Sequence, residues 1–268
     1  MLTSTQNPLV KAIRKLHTAK GRREQQLFLL EGTHLVEEAC TVDYPLVTVC
    51  CTSQWQERHQ ELWQEVASRC QRVEIVSPEV LKAIATTVQP DGVVATAQRR
   101  LTSDSEHPQG GLPLLTSIGL ALETVQDPGN LGTIIRAAAA ANVERLWLST
   151  DSVDLDNPKV LRSSAGQWFR LPVTVSPDLK DVVCQCQAQG IQVVATVPHA
   201  SVSYWDIELR CPTLIVLGNE AAGLRADLTL LANQQVKIPL APGVESLNVA
   251  IAAALMLYEA QRQRQKKG

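Results

Sequence analysis

The sequence is poor in aromatics, which make up 4% of its 268 residues, and its seven cysteines are an odd number with no C-x-x-C pair. Cys184 and Cys186 stand two apart, and no two of His17, His34, His59, His107 and His199 have the spacing of metal ligands. A disulfide framework, a structural zinc and metal catalysis all lack support, which leaves reduced thiols in the cytoplasm. Scarce aromatics also argue against a base-stacking sheet of the RRM type. No run reaches about 18 apolar residues, and the opening "MLTSTQNPLVKAIRK" lacks the apolar stretch of a signal peptide. Neither a membrane span nor a secretory leader is expected. The net charge is only −2, so any polyanion must be met by local patches rather than by the whole molecule.

What is present suits a globular α/β protein of one large or two small domains, with 45% hydrophobic and 19% charged residues. Residues 1–98 alternate helix and strand signals. "LVKAIRKLHTA" has helical period, "LFLLE" and "PLVTVCC" are short apolar runs, and "WQERHQELWQEVASRC" reads as one amphipathic helix. "RVEIV", a helix from Pro78 and "GVVATAQ" complete a small α/β unit. Residues 99–116, rich in Ser, Pro, Gly and charge, read as a linker. From 117 to 268 the alternation resumes with "IGLALE", "RLWLS", "IQVVATV" and "TLIVLG". These uninterrupted aliphatic runs predict a parallel sheet buried on both faces.

Three loops after strands in this second domain carry the candidate chemistry. The first lies in "VQDPGNLGTIIRAAAAANV", residues 125–143, where Gly129 and Gly132 permit close backbone approach and Asn130 suits a helix N-cap. Arg136 follows near the start of that helix, where the macrodipole disfavours a cation by about 0.3–1 kcal/mol unless an anion compensates. The second is "TLIVLGNEAAGL", residues 213–224, with Glu220 either a helix-start partner or a site carboxylate. The third is "VKIPLAPGVESLNVAIAAALMLYEA", residues 236–260, where Ser246 reads as an N-cap or a site hydroxyl. Asn248 is a poor choice for a helix interior. G-x-G-x-x-G and G-K-[ST] are both absent, which argues against a dehydrogenase or a P-loop enzyme. Glycine-bearing loops with exposed backbone groups suit a polar heterocyclic cofactor better than a metal.

"DPGNLGTIIRAAAAANV", "LIVLGNEAAGL" and "IPLAPGVESLNVAIAAALMLYE" together resemble, in order, the three signature motifs of the SpoU/TrmH family of RNA ribose 2′-O-methyltransferases, within the SPOUT superfamily. "KVLRSSAGQWFRLPV" is similar to the family's intervening segment, and residues 7–39 to its ribosomal-protein-like substrate-binding domain. Ala137 departs from a common family threonine, outside the motif residues proper. The resemblance implies an α/β fold with a C-terminal SPOUT domain, its parallel sheet tied in a deep trefoil knot, and a smaller N-terminal α/β domain. Sequence rules alone would not suggest a knot. It implies S-adenosylmethionine held near Leu217, Gly218, Ile238, Leu240, Leu247 and Ala250, and a catalytic set of Asn130, Arg136, Glu220, Ser246 and Asn248. It further implies an RNA substrate, rRNA before tRNA, a homodimer paired through the C-terminal domain, and no metal.

A guanidinium is a strong base that holds its proton at neutral pH, so Arg136 is read as an electrostatic clamp on phosphate and developing alkoxide rather than as a general base. Lys11, Arg14, Lys15, Lys20, Arg22 and Arg23, with no acid among residues 11–23, read as either a solvated helix face or a phosphate-tracking patch. The basic end, Arg262, Arg264, Lys266 and Lys267, reads as a frayed terminus. A catalytically silent RNA-binding protein of the same fold stands as the competing class.

Overall fold

Side-chain caps and apolar spacing set the elements of the N-terminal part. In the computed structural model, which describes residues 1–99, 114–219 and 221–265, the Asn7 side chain accepts the Leu9 amide at 2.9 Å and opens α1, Pro8–Lys15. Thr18 caps α2, Ala19–Gln25, and Gly21 is required there because a Cβ would lie 1.9 Å from the Lys15 carbonyl oxygen. Then follow β1 (Leu27–Glu31), α3 (Thr33–Thr41), β2 (Leu46–Cys51), α4 (Ser53–Arg58), α5 (Gln60–Arg69), β3 (Arg72–Ile75), α6 (Pro78–Ile84) and β4 (Val93–Gln98). The strands form a sheet in the order β1-β4-β2-β3, antiparallel except between β2 and β3. Val10 and Ile13 of α1 pack with Leu29, Val80, Leu81 and Ile84 into its core. The single helix expected over "WQERHQELWQEVASRC" is instead two, α4 and α5, broken at His59 with φ −122° and ψ 50°. The His59 ring lies against Trp55, 5.1 Å between centroids, and Trp55 is buried, so packing overrides helical periodicity.

The second part holds β5 (Ile118–Leu122), α7 (Pro128–Ala140), β6 (Arg145–Ser149), α8 (Pro158–Ser163), β7 (Val173–Ser176) and α9 (Leu179–Ala188). β8 (Gln192–Thr196), β9 (Val202–Ser203), β10 (Thr213–Leu217), α10 (Ala226–Leu231), β11 (Gln234–Lys237) and α11 (Val249–Gln265) complete it. Its sheet runs β7-β6-β5-β10-β8-β11-β9, every pair parallel, as the aliphatic runs predict. Every residue of β5 and β10 is buried, and the two end level, Leu122 opposite Leu217. On one sheet face Val193, Val216 and Trp147 pack with Leu179, Val182 and Val183 of α9. α11 packs on β10 and α7. Among the described residues no helix is long and apolar enough to cross a membrane.

Residues 1–99 and 154–170 make one compact unit, and 114–153 with 171–265 the other. The stretch 154–170, between β6 and β7 in sequence, therefore packs with the N-terminal elements, a grouping that a linear division at a linker does not draw. Trp168 packs at a tilt against Phe28, 5.1 Å between ring centroids, and edge-on to Tyr44 at 5.9 Å. Arg162 pairs with the buried Glu31 at 3.0 Å, and Arg170 with Glu38. Residues 100–113 of the expected linker lie outside the described residues.

Candidate active site

The first loop is built at the carboxyl edge of β5, where parallel sheets place ligands. Thr124 turns the chain with φ 53°. Its amide donates to Ser149 Oγ at 2.8 Å, and its hydroxyl to Asp151 Oδ2 at 2.7 Å. Ser149 donates to the other oxygen of Asp151 at 2.5 Å, and these hydroxyl bonds, Ser149's foremost, hold the carboxyl below its usual range. The N-cap of α7 is Asp127, not Asn130: its carboxylate accepts the Asn130 amide at 2.9 Å and Pro128 takes the first helical position. Asn130 is thus the third residue of α7 and Arg136 the ninth, about 12 Å of rise from the helix start. Dipole effects are confined to the first turn, so the penalty expected for Arg136 does not apply. What the structure does give Arg136 is exposure, on a stripe with Thr133 and Ala140, and no hydrogen-bond or ion-pair partner among the described residues.

The second loop follows β10. Gly218 admits no side chain, since a Cβ would meet the Leu224 amide nitrogen at 2.2 Å and Gly223 oxygen at 2.4 Å. Asn219 organises the turn. Its carbonyl oxygen accepts the Ala221 and Ala222 amides at 2.9 and 2.8 Å, and its amide donates to the Thr124 carbonyl at 2.7 Å. One residue earlier, the buried Glu123 carboxylate accepts the Arg225 amide at 2.8 Å and also the Arg225 guanidinium. The second loop is therefore fastened to the first at two adjacent residues. Sequence reasoning missed Glu123, Thr124, Asn219 and Arg225. Only Asn219 left a signal, an Asn between Gly and a short polar turn. Glu220 lies outside the described residues.

The third loop meets the first directly. Asn248 Nδ2 donates to Asn130 Oδ1 at 2.9 Å across 118 residues of sequence. The same Asn248 caps α11, accepting the Ala250 amide at 2.9 Å. This corrects the expectation of Ser246 as N-cap and of Asn248 as a helix-interior residue: the helix begins at Val249, and Ser246 is exposed two residues ahead of the cap. Of the expected cofactor residues, Leu217 and Ala250 are buried, while Gly218, Ile238, Leu240 and Leu247 are half-buried. Leu217 and Gly218 end β10 and Ile238 follows β11, the two strands that flank β8.

In the N-terminal unit Lys11, Arg14, Lys15, Lys20 and Arg23 are exposed, and Lys20 pairs loosely with Glu24 at 3.8 Å. Arg22 does not belong with them. It is 2% exposed, donates to Asp154 from two nitrogens at 3.0 and 2.6 Å, and to the Leu16 carbonyl at 2.9 Å. The basic end is likewise not all frayed: Arg262 pairs with Glu259 and Arg264 donates to the Leu209 and Cys211 carbonyls. Lys266 and Lys267 lie outside the described residues.

A parallel sheet, a glycine turn at its carboxyl edge, two linked asparagines and, on the helix that carries Asn130, an exposed guanidinium with no partner among the described residues define an α/β enzyme that binds a cofactor and an anionic substrate. The chain belongs to the SpoU rRNA Methylase family, whose model matches residues 117–258, and an MRM3-like substrate binding domain matches residues 7–95. It is 48% identical to an uncharacterized tRNA/rRNA methyltransferase of Synechocystis, covering 98% of this chain and 94% of the relative. It is 33% identical to the 23S rRNA (guanosine(2553)-2'-O)-methyltransferase RlmP of Bacillus subtilis, over 96% of this chain and 97% of that protein. The AdoMet-bound rRNA methyltransferase from Sinorhizobium meliloti superposes with a TM-score of 0.86 at 33% identity, covering 97% of both chains.

Proposed function

We propose that this chain transfers a methyl group from S-adenosylmethionine to a ribose 2′-hydroxyl of ribosomal RNA. The observation that carries the reading is the Asn248–Asn130 hydrogen bond, which joins the third motif to the first while Arg136 has no partner among the described residues. The rRNA assignment follows the relatives named for rRNA that match the chain almost end to end. When bound, the cofactor supplies a methyl on a sulfonium whose own positive charge makes it a leaving group without a metal.

The residues present fit that group. Gly218, without a Cβ, lets the Gly223–Leu224 backbone close the turn after β10, and Leu217, Gly218, Ile238, Leu240, Leu247 and Ala250, all buried or half-buried, are the proposed apolar and backbone contacts of the cofactor. Asn130, held by its bond to Asn248, orients the ribose. Arg136, permanently charged, binds the neighbouring phosphate and stabilises negative charge as it develops on the 2′-oxygen. Its proton stays on the guanidinium, so the proton of the 2′-hydroxyl leaves to another acceptor. Glu220 and Ser246 complete the proposed catalytic set.

Lys11, Arg14, Lys15, Lys20 and Arg23 track phosphates on the substrate, and Arg22 acts inside the fold instead. The exposed stripe Ile251, Leu255 and Tyr258 of α11, together with Trp205, supports pairing of two copies in a cytoplasmic homodimer. The trefoil threading belongs to the same proposal and is supported by α11 packing on α7 while its cap reaches Asn130. The test is tritiated methyl transfer to rRNA by the purified chain, followed by nucleoside digestion. A 2′-O-methylated nucleoside at one position supports the reading. Methylated base overturns it, and RNA binding without transfer favours the silent protein.

A further inference from the structure

A single residue holds both ends of the second loop. The Glu123 amide donates to the Leu217 carbonyl at 2.9 Å, where the loop leaves β10, and the Glu123 carboxylate accepts the Arg225 amide at 2.8 Å, where the loop ends. The same carboxylate is paired with the Arg225 guanidinium. The next residue, Thr124, holds the turn between them, its carbonyl accepting the Asn219 side-chain amide at 2.7 Å. Thr124 sits at φ 53°, a left-handed conformation that a β-branched residue rarely takes, with its amide tied to Ser149 and its hydroxyl to Asp151. Such strain persists only where the surroundings over-determine it. Just beyond, at Pro128, begins α7, which carries Asn130 and Arg136.

Stability alone does not account for the Glu123–Arg225 pair. The Glu123 side chain is 4% exposed and its partner 58%, so the carboxylate is taken out of water while most of the guanidinium stays in it. Burying a charge in this way costs free energy, and an apolar pair of similar volume often serves folding as well or better. What apolar side chains lack is direction. A carboxylate that accepts from both the backbone and the side chain of one residue fixes where that residue sits. Arg225 also lies 3.6 Å from Asp227, so its charge is answered by carboxylates within the fold.

We propose that Glu123 is a further positioning residue for methyl transfer, acting through Arg225: the pair sets the second loop at the distance from α7 that brings a methyl held on that loop in line with the ribose 2′-oxygen. The proposal rests on the methyl-transfer reading given above. The cofactor contacts assigned to Leu217 and Gly218 lie on one side of the fastening, and Asn130 and Arg136 on the other. The pair therefore acts on the alignment of the two ligands and not on the affinity for either.

Arg225→Ala gives the test, with methyl transfer to rRNA and S-adenosylmethionine binding measured on the full chain below the variant's melting temperature. Its kcat falls about 10- to 100-fold, while the cofactor Kd and the KM for RNA stay within about twofold of wild type. Glu123→Gln is slowed too, and because the two residues act as one unit, combining it with Arg225→Ala gives no further loss. The dependence of RNA affinity on salt is unchanged. Should the alanine variant not fold, Arg225→Lys carries the same test, since it keeps a cation beside Glu123 but not the directed Nε bond: kcat falls and melting stays near wild type. Wild-type kcat in whichever variant folds overturns the proposal. So does a cofactor affinity that falls as far as kcat, or rate losses that add in the double variant. A salt slope lowered by about 0.7–0.9 overturns it as well, by making Arg225 a phosphate contact. A wild-type chain that transfers no methyl group overturns instead the function beneath it.

Discussion

Arginines on the two compact units divide into those bonded within the fold and those held out from it. In the N-terminal unit Arg22, Arg99, Arg162 and Arg170 are all engaged by carboxylates: Arg22 and Arg99 by Asp154, Arg99 also by Asp156, Arg162 by Glu31, Arg170 by Glu38. In the C-terminal unit Arg145, Arg210, Arg225, Arg262 and Arg264 likewise have partners, yet Arg136 on α7 has none among the described residues. A guanidinium already bonded within the fold contributes to stability and has little left for a ligand. One held out on a rigid helix, unpaired, contributes nothing to folding and is free to meet phosphate. The contrast sorts arginines by partner rather than by position in the sequence, and each side can be tested against the other.

The largest effect on stability is expected at Arg22. Arg22→Ala leaves the Asp154 carboxylate, 12% exposed, without its main partner, and removes the bond to the Leu16 carbonyl. The loss is about 3–5 kcal/mol in unfolding free energy, read by urea denaturation. Burial pushes the neighbouring Asp156 carboxyl upward against the pull of Arg99, so charge in this cluster is already expensive. Arg136→Ala is the mirror case. Its stability stays within about 0.5 kcal/mol of wild type, while methyl transfer falls about 10²- to 10³-fold and S-adenosylmethionine affinity is unchanged. Equal loss of cofactor binding and transfer in this variant would remove the division between cofactor loops and anion clamp.

Much of the C-terminal sheet was legible because its strands are unbroken aliphatic runs, and a strand buried on both faces leaves no other pattern. The three loops were legible as glycine-bearing turns after those strands. How they are fastened was not. Glu123, Thr124, Asn219 and Arg225 bond one another between the first and second loops, and no periodicity marks residues that meet only after folding. Cap positions slipped for a related reason. Asp127 and Asn130 both suit an N-cap, as do Ser246 and Asn248, and the choice between them depends on where the preceding strand releases the chain. The placement of 154–170 with the N-terminal elements was invisible because its anchors, Asp154, Trp168 and Arg170, find their partners on residues far away in sequence.

Smaller effects separate the two roles of Asn248. Asn248→Ala removes the α11 cap and costs about 1 kcal/mol, but it also frees Asn130. Asn248→Ser keeps a capping oxygen and loses the amide donor. Near-wild-type melting with impaired transfer in the serine variant shows that the bond to Asn130 matters beyond stability. Impairment that tracks melting temperature across both variants reduces Asn248 to a cap.

The Ser149–Asp151–Thr124 bonds predict a pH signature. The Asp151 carboxyl is lowered in the folded protein, so its contribution is complete above the unfolded value of about 4 and is lost as pH falls through the lower folded value. Asp151→Asn is therefore less stable than wild type at pH 6, by under about 1 kcal/mol because the group is exposed and screened. The two unfolding curves converge as pH drops below about 4. A constant gap down to pH 2 assigns the effect to geometry rather than to charge.

The smallest effects, and the finest test of the comparison, come from the exposed basic side chains of the N-terminal unit. If Lys15 contacts a phosphate, Lys15→Gln leaves melting unchanged and lowers the slope of log affinity for rRNA against log salt by about 0.7–0.9, the contribution of one released counterion. Lys11, Arg14, Lys20 and Arg23 behave alike, in proportion to their contact with RNA. Arg22→Lys must do the reverse, because an ammonium cannot reproduce the two-nitrogen grip on Asp154. It lowers the melting temperature and, at matched folded concentration, leaves the salt slope where it was. A slope that moves with Arg22 and not with Lys15 would mean that the buried guanidinium reaches RNA after all, and sorting arginines by partner would fail.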